Sequence, residues 1–155
     1  MKIYTLEQKQ ILPISLEKAW EFFANPQNLS KLTPDWMQLT IKGDVPQEMY
    51  EGMIMVQEVK PLFGIPLTWV TEITHIQEGS YFIDEQRMGP YKFWHHEHRL
   101  IETEAGVELI DTLHYAMPFG IIGRMVHALS VKKKVAEVFR YRYEVLEEMF
   151  FTHIE

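Results

Sequence analysis

His96 and His98 stand two residues apart. In an extended chain alternate side chains share a face, so both rings project to the same side. Asp84 and Asp111 lie in the flanking segments, each within a run of similar alternation. Two imidazoles and one carboxylate form the donor set of a two-His-one-carboxylate metal site. An imidazole facing a carboxylate is equally a charge-assisted hydrogen bond that moves protons or holds strands in register. His pairs at this spacing arise readily in strands, and nothing else in the chain asks for a metal. No metal and no other cofactor is therefore expected. With Tyr115, these groups leave three roles open: acid–base catalysis, orientation of a ligand, and a buried network. The chain has no Cys, which excludes thiolate ligands, thiol nucleophiles and disulfides.

These residues need elements to place them. Residues 2–12 alternate as a strand that Pro13 ends. Ser15 suits an N-cap, and Leu16, Ala19, Trp20, Phe22 and Phe23 follow at helical spacing. Asn25-Pro26 stops that helix, and residues 28–32 suit a second short one. Strands are then expected at 37–41, 53–60, 67–76, 81–87, 92–102 and 107–117. Turns at 61–66, Gly79, Gly89-Pro90, Gly106 and Pro118-Phe119-Gly120 separate the later ones. Beyond Gly123 the period changes to three-four. Met125, Leu129, Lys132, Ala136, Phe139, Tyr143, Leu146 and Phe150 form one stripe on a helix of about 25 to 28 residues. Such a helix buries its stripe on the concave face of a bent sheet, and a sheet curled around a helix leaves space beside it.

Alternation sets the expected facing. Trp69 and Thr71 point inward with Leu67 and Ile73. Phe82, Asp84 and Gln86 form the inward set of the next strand. Trp94, His96 and His98 go inward with Leu100, and Asp111 and Tyr115 with Leu109 and Leu113. The short turn at 104–106 pairs Leu100 with Leu109, His98 with Asp111, and Trp94 with Tyr115. Met125, Leu129 and Lys132 complete the candidate ligand-facing set from the helix. Lys132 either snorkels outward or reaches an anion inside. The other helix cations, from Arg124 to Arg142, are read as a solvated face. An approach to an anionic membrane is the competing reading.

The order of elements resembles the helix-grip domains of the START and birch-pollen-allergen-like superfamily, called SRPBCC. The resemblance rests on Phe82-Ile83-Asp84-Glu85-Gln86, on Gly89-Pro90 before Trp94-His95-His96-Glu97-His98, and on Asp111 and Tyr115 leading into Pro118-Phe119-Gly120. Within the superfamily the chain is most similar to an uncharacterised bacterial branch of ligand-binding domains. The resemblance implies an α+β fold over residues 1–155 as a single domain. A curved antiparallel sheet of about six to seven strands wraps a long C-terminal helix, and two short helices follow strand 1. It implies no catalytic residues.

With 155 residues the chain suits one domain with a sizeable core. Fifteen Lys and Arg against 22 Asp and Glu give a net charge of −7, which disfavours nucleic acid as a partner. No run reaches the length of a membrane span, and the N-terminal alternation does not suit a signal peptide, so the expected location is the cytoplasm. The expected function is binding or carrying a small hydrophobic, lipid- or polyketide-like ligand between sheet and helix. The alternative is a cyclase- or dehydratase-like enzyme using polar groups of the same cavity. A third reading is a membrane-docking lipid carrier.

Overall fold

The computed structural model describes residues 1–61 and 64–151. Among the described residues, seven strands form one antiparallel sheet: β1 (Tyr4–Leu12), β2 (Thr40–Lys42), β3 (Ile54–Val59), β4 (Leu67–Gln77), β5 (Tyr81–Met88), β6 (Phe93–Thr103) and β7 (Gly106–Ala116). Their order is β1-β7-β6-β5-β4-β3-β2, so β1 crosses over to pair with β7 while the rest run as a meander. The β4–β5 ladder shifts register between Val70 and Thr71 and again between Ile73 and His75. Bulges of this kind bend the bulged strand and increase its twist, which curls the sheet at its middle.

Between β1 and β2 lie helix α1 (Leu16–Phe23), a 3₁₀ helix (Pro26–Leu32) and a 3₁₀ turn (Asp35–Met37). The Ser15 side chain accepts from the Lys18 amide, as its capping role requires. Asn25 caps the next helix through the Gln27 amide, with Pro26 at its first position. The alternation at Met37, Leu39 and Ile41 gives only the three-residue strand β2. Met37 instead ends the 3₁₀ turn, Gln38 takes a left-handed φ of 46°, and the Met37 side chain packs with Val59 and Trp69. The turn expected over 61–66 falls partly outside the described residues.

The C-terminal helical run extends from Gly120 to Phe151 in three parts. These are α2 (Gly120–Val126), a π-helical turn (His127–Val131) and α3 (Lys132–Phe151). Its buried face is His127, Val131, Val135, Phe139, Arg142 and Leu146. This corrects the upper half of the predicted stripe. Met125 is 60% exposed and Leu129 83% exposed, and Lys132 and Ala136 also face outward. The predicted stripe advanced 3.5 residues per turn, whereas an α-helix needs 3.6 and a π turn still more. The two patterns meet at Phe139 and Leu146 and separate toward the N-terminal end. Arg142, expected on the solvated face, lies on the buried one.

The helix is gripped from both flanks. On β1, Gln8 Nε2 donates to the Phe139 carbonyl and Gln10 Nε2 to the Tyr143 carbonyl, each at 3.0 Å. On the sheet side, Leu113 and Tyr115 pack with Val131, Val135 and Phe139. Leu146 joins the larger cluster around Leu12, Ala19, Trp20, Phe82 and Leu109. No helix among the described residues is long and apolar enough to cross a membrane.

Candidate functional site

A cavity of about 420 Å³ opens between the sheet, the 3₁₀ segments and the C-terminal helix. Its wall is largely aromatic. Trp69 from β4 meets Trp94 from β6 edge-on at 5.0 Å, and Tyr91 lies 4.7 Å from Trp94 and 5.7 Å from Trp69. Val135, Val138 and Phe139 supply the helix side. Phe119, Ile122 and Val126, all exposed, stand where the lining reaches solvent.

Strand register brings the polar groups together. Asp84 lies opposite His96, Phe82 opposite His98, and His98 opposite Asp111. Because the three strands are adjacent and the side chains alternate, all these groups point to the concave side. Both nitrogens of His98 meet carboxylates: Nε2 is 2.8 Å from Asp84 Oδ2 and Nδ1 is 2.9 Å from Asp111 Oδ1. His98 thus lies between two carboxylates, with Nε2 hydrogen-bonded to Asp84 Oδ2 and Nδ1 in ion-pair contact with Asp111 Oδ1, a setting that favours the imidazolium. His96 donates from Nε2 to Asp111 Oδ1 at 3.1 Å, while its Nδ1 is 3.7 Å from Asp84 Oδ2, beyond hydrogen-bonding reach. That pattern suits a neutral ring. Arg142 Nη1 donates to Asp111 Oδ1 at 3.3 Å from the helix.

The electrostatics follow this geometry. Burial opposes charge on His98, but its bonds to Asp111 and Asp84 outweigh it and raise its pKa above 6.5. Burial and the neighbouring His98 charge lower His96 to about 4, against the upward pull of Asp111. Burial also opposes charge on the carboxylates. Arg142 and the two imidazoles nevertheless hold Asp111 well below the ordinary range, and His98 and its neighbours hold Asp84 below it. Two carboxylates thus balance one imidazolium and one guanidinium. The His98 ring also stacks on Phe82 with centroids 4.3 Å apart.

The sequence-predicted residues divide by position. Trp69, Thr71, Phe82, Asp84, Trp94, His96 and His98 line the cavity. Asp111 is 1% exposed and sits behind the histidines as their common acceptor. Tyr115 does not line the cavity either. Its ring is in the core, and Oη hydrogen-bonds His127 Nε2 at 2.8 Å, tying β7 to the π turn. Gln86 serves the backbone: Nε2 donates to the Tyr91 carbonyl at 2.6 Å, and Oε1 accepts from the Tyr91 amide at 3.2 Å. It thereby holds the turn that presents Tyr91. A Cβ on Gly89 would collide with Gln86 Oε1 and push it off the Tyr91 amide. Met125, Leu129 and Lys132 are absent from the lining for the helical-phase reason above, and Val131, Val135, Phe139 and Arg142 take their place.

Tyr91 and Arg142 are the functional residues that sequence reasoning missed. Tyr91 sits in a Gly-Pro turn with no periodicity to assign its facing. Arg142 falls on the Val131–Val135–Phe139–Leu146 stripe, a signal hidden by the competing one. Asp84, His96 and His98 also bring one ligand atom each within 4.8 Å of one another, as a metal site would require. The permanent positive charge of Arg142, whose Nη1 reaches Asp111 beside them, disfavours a cation here.

No protein-family model matches this sequence. No curated protein matches it. Solved structures do match in shape. TTHA0849 from Thermus thermophilus superposes with a TM-score of 0.72 at 15% identity, over 98% of this chain and 100% of that one. Ara h 8.0201 superposes with a TM-score of 0.59 at 14% identity, over 95% of this chain and 99% of that one. The di-domain ARO/CYC StfQ from the steffimycin biosynthetic pathway gives 0.64 at 12% identity, over 95% of this chain and 52% of that one. At such identities the likeness is one of fold. The strand order, the gripped C-terminal helix and these superpositions together establish that the chain has the START/birch-pollen-allergen-like helix-grip fold.

Proposed function

We propose that this protein binds a small hydrophobic molecule in the cavity between its sheet and its C-terminal helix. The observation that carries this reading is the cavity itself. Its volume of about 420 Å³ falls within the usual range for small-molecule pockets, and its walls are aromatic and aliphatic with a small charged cluster at one place. A polar minority in an apolar pocket orients a ligand while burial holds it. Likeness to Ara h 8.0201 and StfQ supports the architecture on which the reading depends.

Binding of N-phenyl-1-naphthylamine, a neutral apolar fluorophore, tests the proposal. We expect saturable binding with one site per chain and a change in intrinsic Trp fluorescence. Trp69→Phe and Trp94→Phe should each remove part of that change. Val138→Trp, which fills the cavity from the helix side, should abolish binding while the chain still unfolds cooperatively. Equal binding by the folded Val138→Trp variant would overturn the reading.

One observation favours a catalytic variant of the same reading. Asp84 lines the cavity with His98 hydrogen-bonded behind it, and a carboxylate–imidazole pair suits proton transfer in a cyclase- or dehydratase-like reaction. Turnover of an added polyketide-like or enoyl substrate that vanishes in His98→Gln, with binding intact, would establish it. Binding without turnover leaves the carrier.

A further inference from the structure

Asp84 differs from the rest of the charged cluster in its access. Asp111 is 1% exposed, and the His96 and His98 side chains are 5% and 9% exposed, whereas the Asp84 side chain is 18% exposed and lines the cavity. Its Oδ2 is occupied by His98 Nε2 and approached by His96 Nδ1. Its Oδ1 has no hydrogen-bond partner among the described residues. The carboxylate therefore has one oxygen tied to the network and one with free lone pairs.

The surrounding charges restrict what can use those lone pairs. At Oδ1 an anionic head group would meet the Asp84 carboxylate directly and be repelled, and Arg142, a permanent cation of the lining, already has its Nη1 on Asp111. A cation would find Asp84 and Asp111 already balanced by His98 and Arg142, so it would be buried without a counter-charge. A neutral donor, a hydroxyl or a phenol, meets neither penalty. It gains a hydrogen bond to an ionised acceptor, the strong kind. The aromatic wall of Trp69, Tyr91 and Trp94 is suited to a flat ring carrying that hydroxyl.

We propose that Asp84 Oδ1 is an acceptor subsite that selects neutral, ring-containing molecules bearing a hydroxyl or phenol. This rests on the reading that the cavity binds an apolar molecule, and it names the class of that molecule.

Calorimetric titration at neutral pH with naphthalene, 2-methoxynaphthalene, 2-naphthol and 2-naphthoate tests the subsite. 2-Naphthol should bind about tenfold or more tighter than 2-methoxynaphthalene, and 2-naphthoate should bind weakest. In Asp84→Asn the amide oxygen stays on the His98 donor and turns its NH₂ toward the cavity. The acceptor becomes a donor, and the naphthol advantage should disappear or reverse. Equal binding of 2-naphthol and 2-methoxynaphthalene by the unaltered protein, with naphthalene bound, would overturn the subsite and leave the cavity reading standing. Tightest binding by 2-naphthoate would also overturn it. Binding of none of the four would remove both. The comparison within the unaltered protein decides the matter even where Asp84→Asn fails to fold.

Discussion

Three nitrogens converge on Asp111 Oδ1: His96 Nε2 and Arg142 Nη1 by hydrogen bonds and His98 Nδ1 by ion-pair contact. Removing that charge leaves Asp84 as the one carboxylate against a buried imidazolium and a buried guanidinium. We expect Asp111→Asn to lose about 3–5 kcal/mol by denaturant unfolding. Arg142→Met combined with it should cost less than the sum of the two single changes, because the pair is coupled. The two histidines give a pH prediction with a definite sign. His98, raised above 6.5, contributes stability fully present below 6.5 and lost as pH rises through its folded value. His96, lowered to about 4, contributes stability present above 6.5 and lost as pH falls from 6.5 toward 4. That acid-side loss is about 3 kcal/mol in order of magnitude. Stability measured across pH should therefore peak near 6.5, and His96→Asn should flatten the acid arm. At this scale the sequence was legible where strands met. Pairing across the Gly106 turn placed His98 on Asp111 as expected. It was not legible where a helix met a strand. Arg142 is separated from Asp111 by 31 residues, and no local pattern links them.

Among the elements, the helical run carries the main correction and its own test. Apolar spacing in the sequence alone does not choose between two stripes that share Phe139 and Leu146. Within α3 the 3.6-residue period already puts Val135 rather than Ala136 on the buried face, and the π turn at His127–Val131 shifts the phase of everything before it. Leu129, at 83% exposure, should tolerate Asp with a change in stability within about 0.5 kcal/mol. Val135→Asp, from 5% exposure against the sheet, should cost several kcal/mol, on the order of 3 or more. Thermal unfolding of the two variants side by side checks the phase. Equal losses would contradict it. The α2 turn has a tighter constraint. A Cβ at Gly123 would collide with the Pro118 carbonyl oxygen, so Gly123→Ala should displace α2 and the exposed Phe119 and Ile122 with it. The strands were easier to read because alternation of period two admits only one facing once a neighbouring Leu is placed. Residues 37–41 were misread because their alternation is real but too short to outweigh the left-handed turn at Gln38.

For the whole molecule, the curved sheet is what converts these local arrangements into a cavity. The bulges in the β4–β5 ladder bend the sheet, the β1–β7 pairing carries it on to β1, and glutamines on β1 hold the helix at its backbone. The space left beside the helix was expected from the order of elements and its sheet wall from strand alternation, but the rest of its lining was not. Part of the lining comes from segments without periodicity, such as Trp36, Pro61 and Tyr91. Outside the cavity, Ile121, Met125 and Leu129 are apolar and each at least 60% exposed, next to Phe119 and Ile122 at the cavity mouth. An apolar molecule thus has two places to go, and they must be told apart. Nuclear Overhauser contacts between the protein and bound naphthalene do this most directly. The predicted contacts are to Phe82, Trp94, Val135 and Phe139 inside the cavity. Contacts confined to Ile121, Met125 and Leu129 on the outer face would contradict a ligand held between sheet and helix.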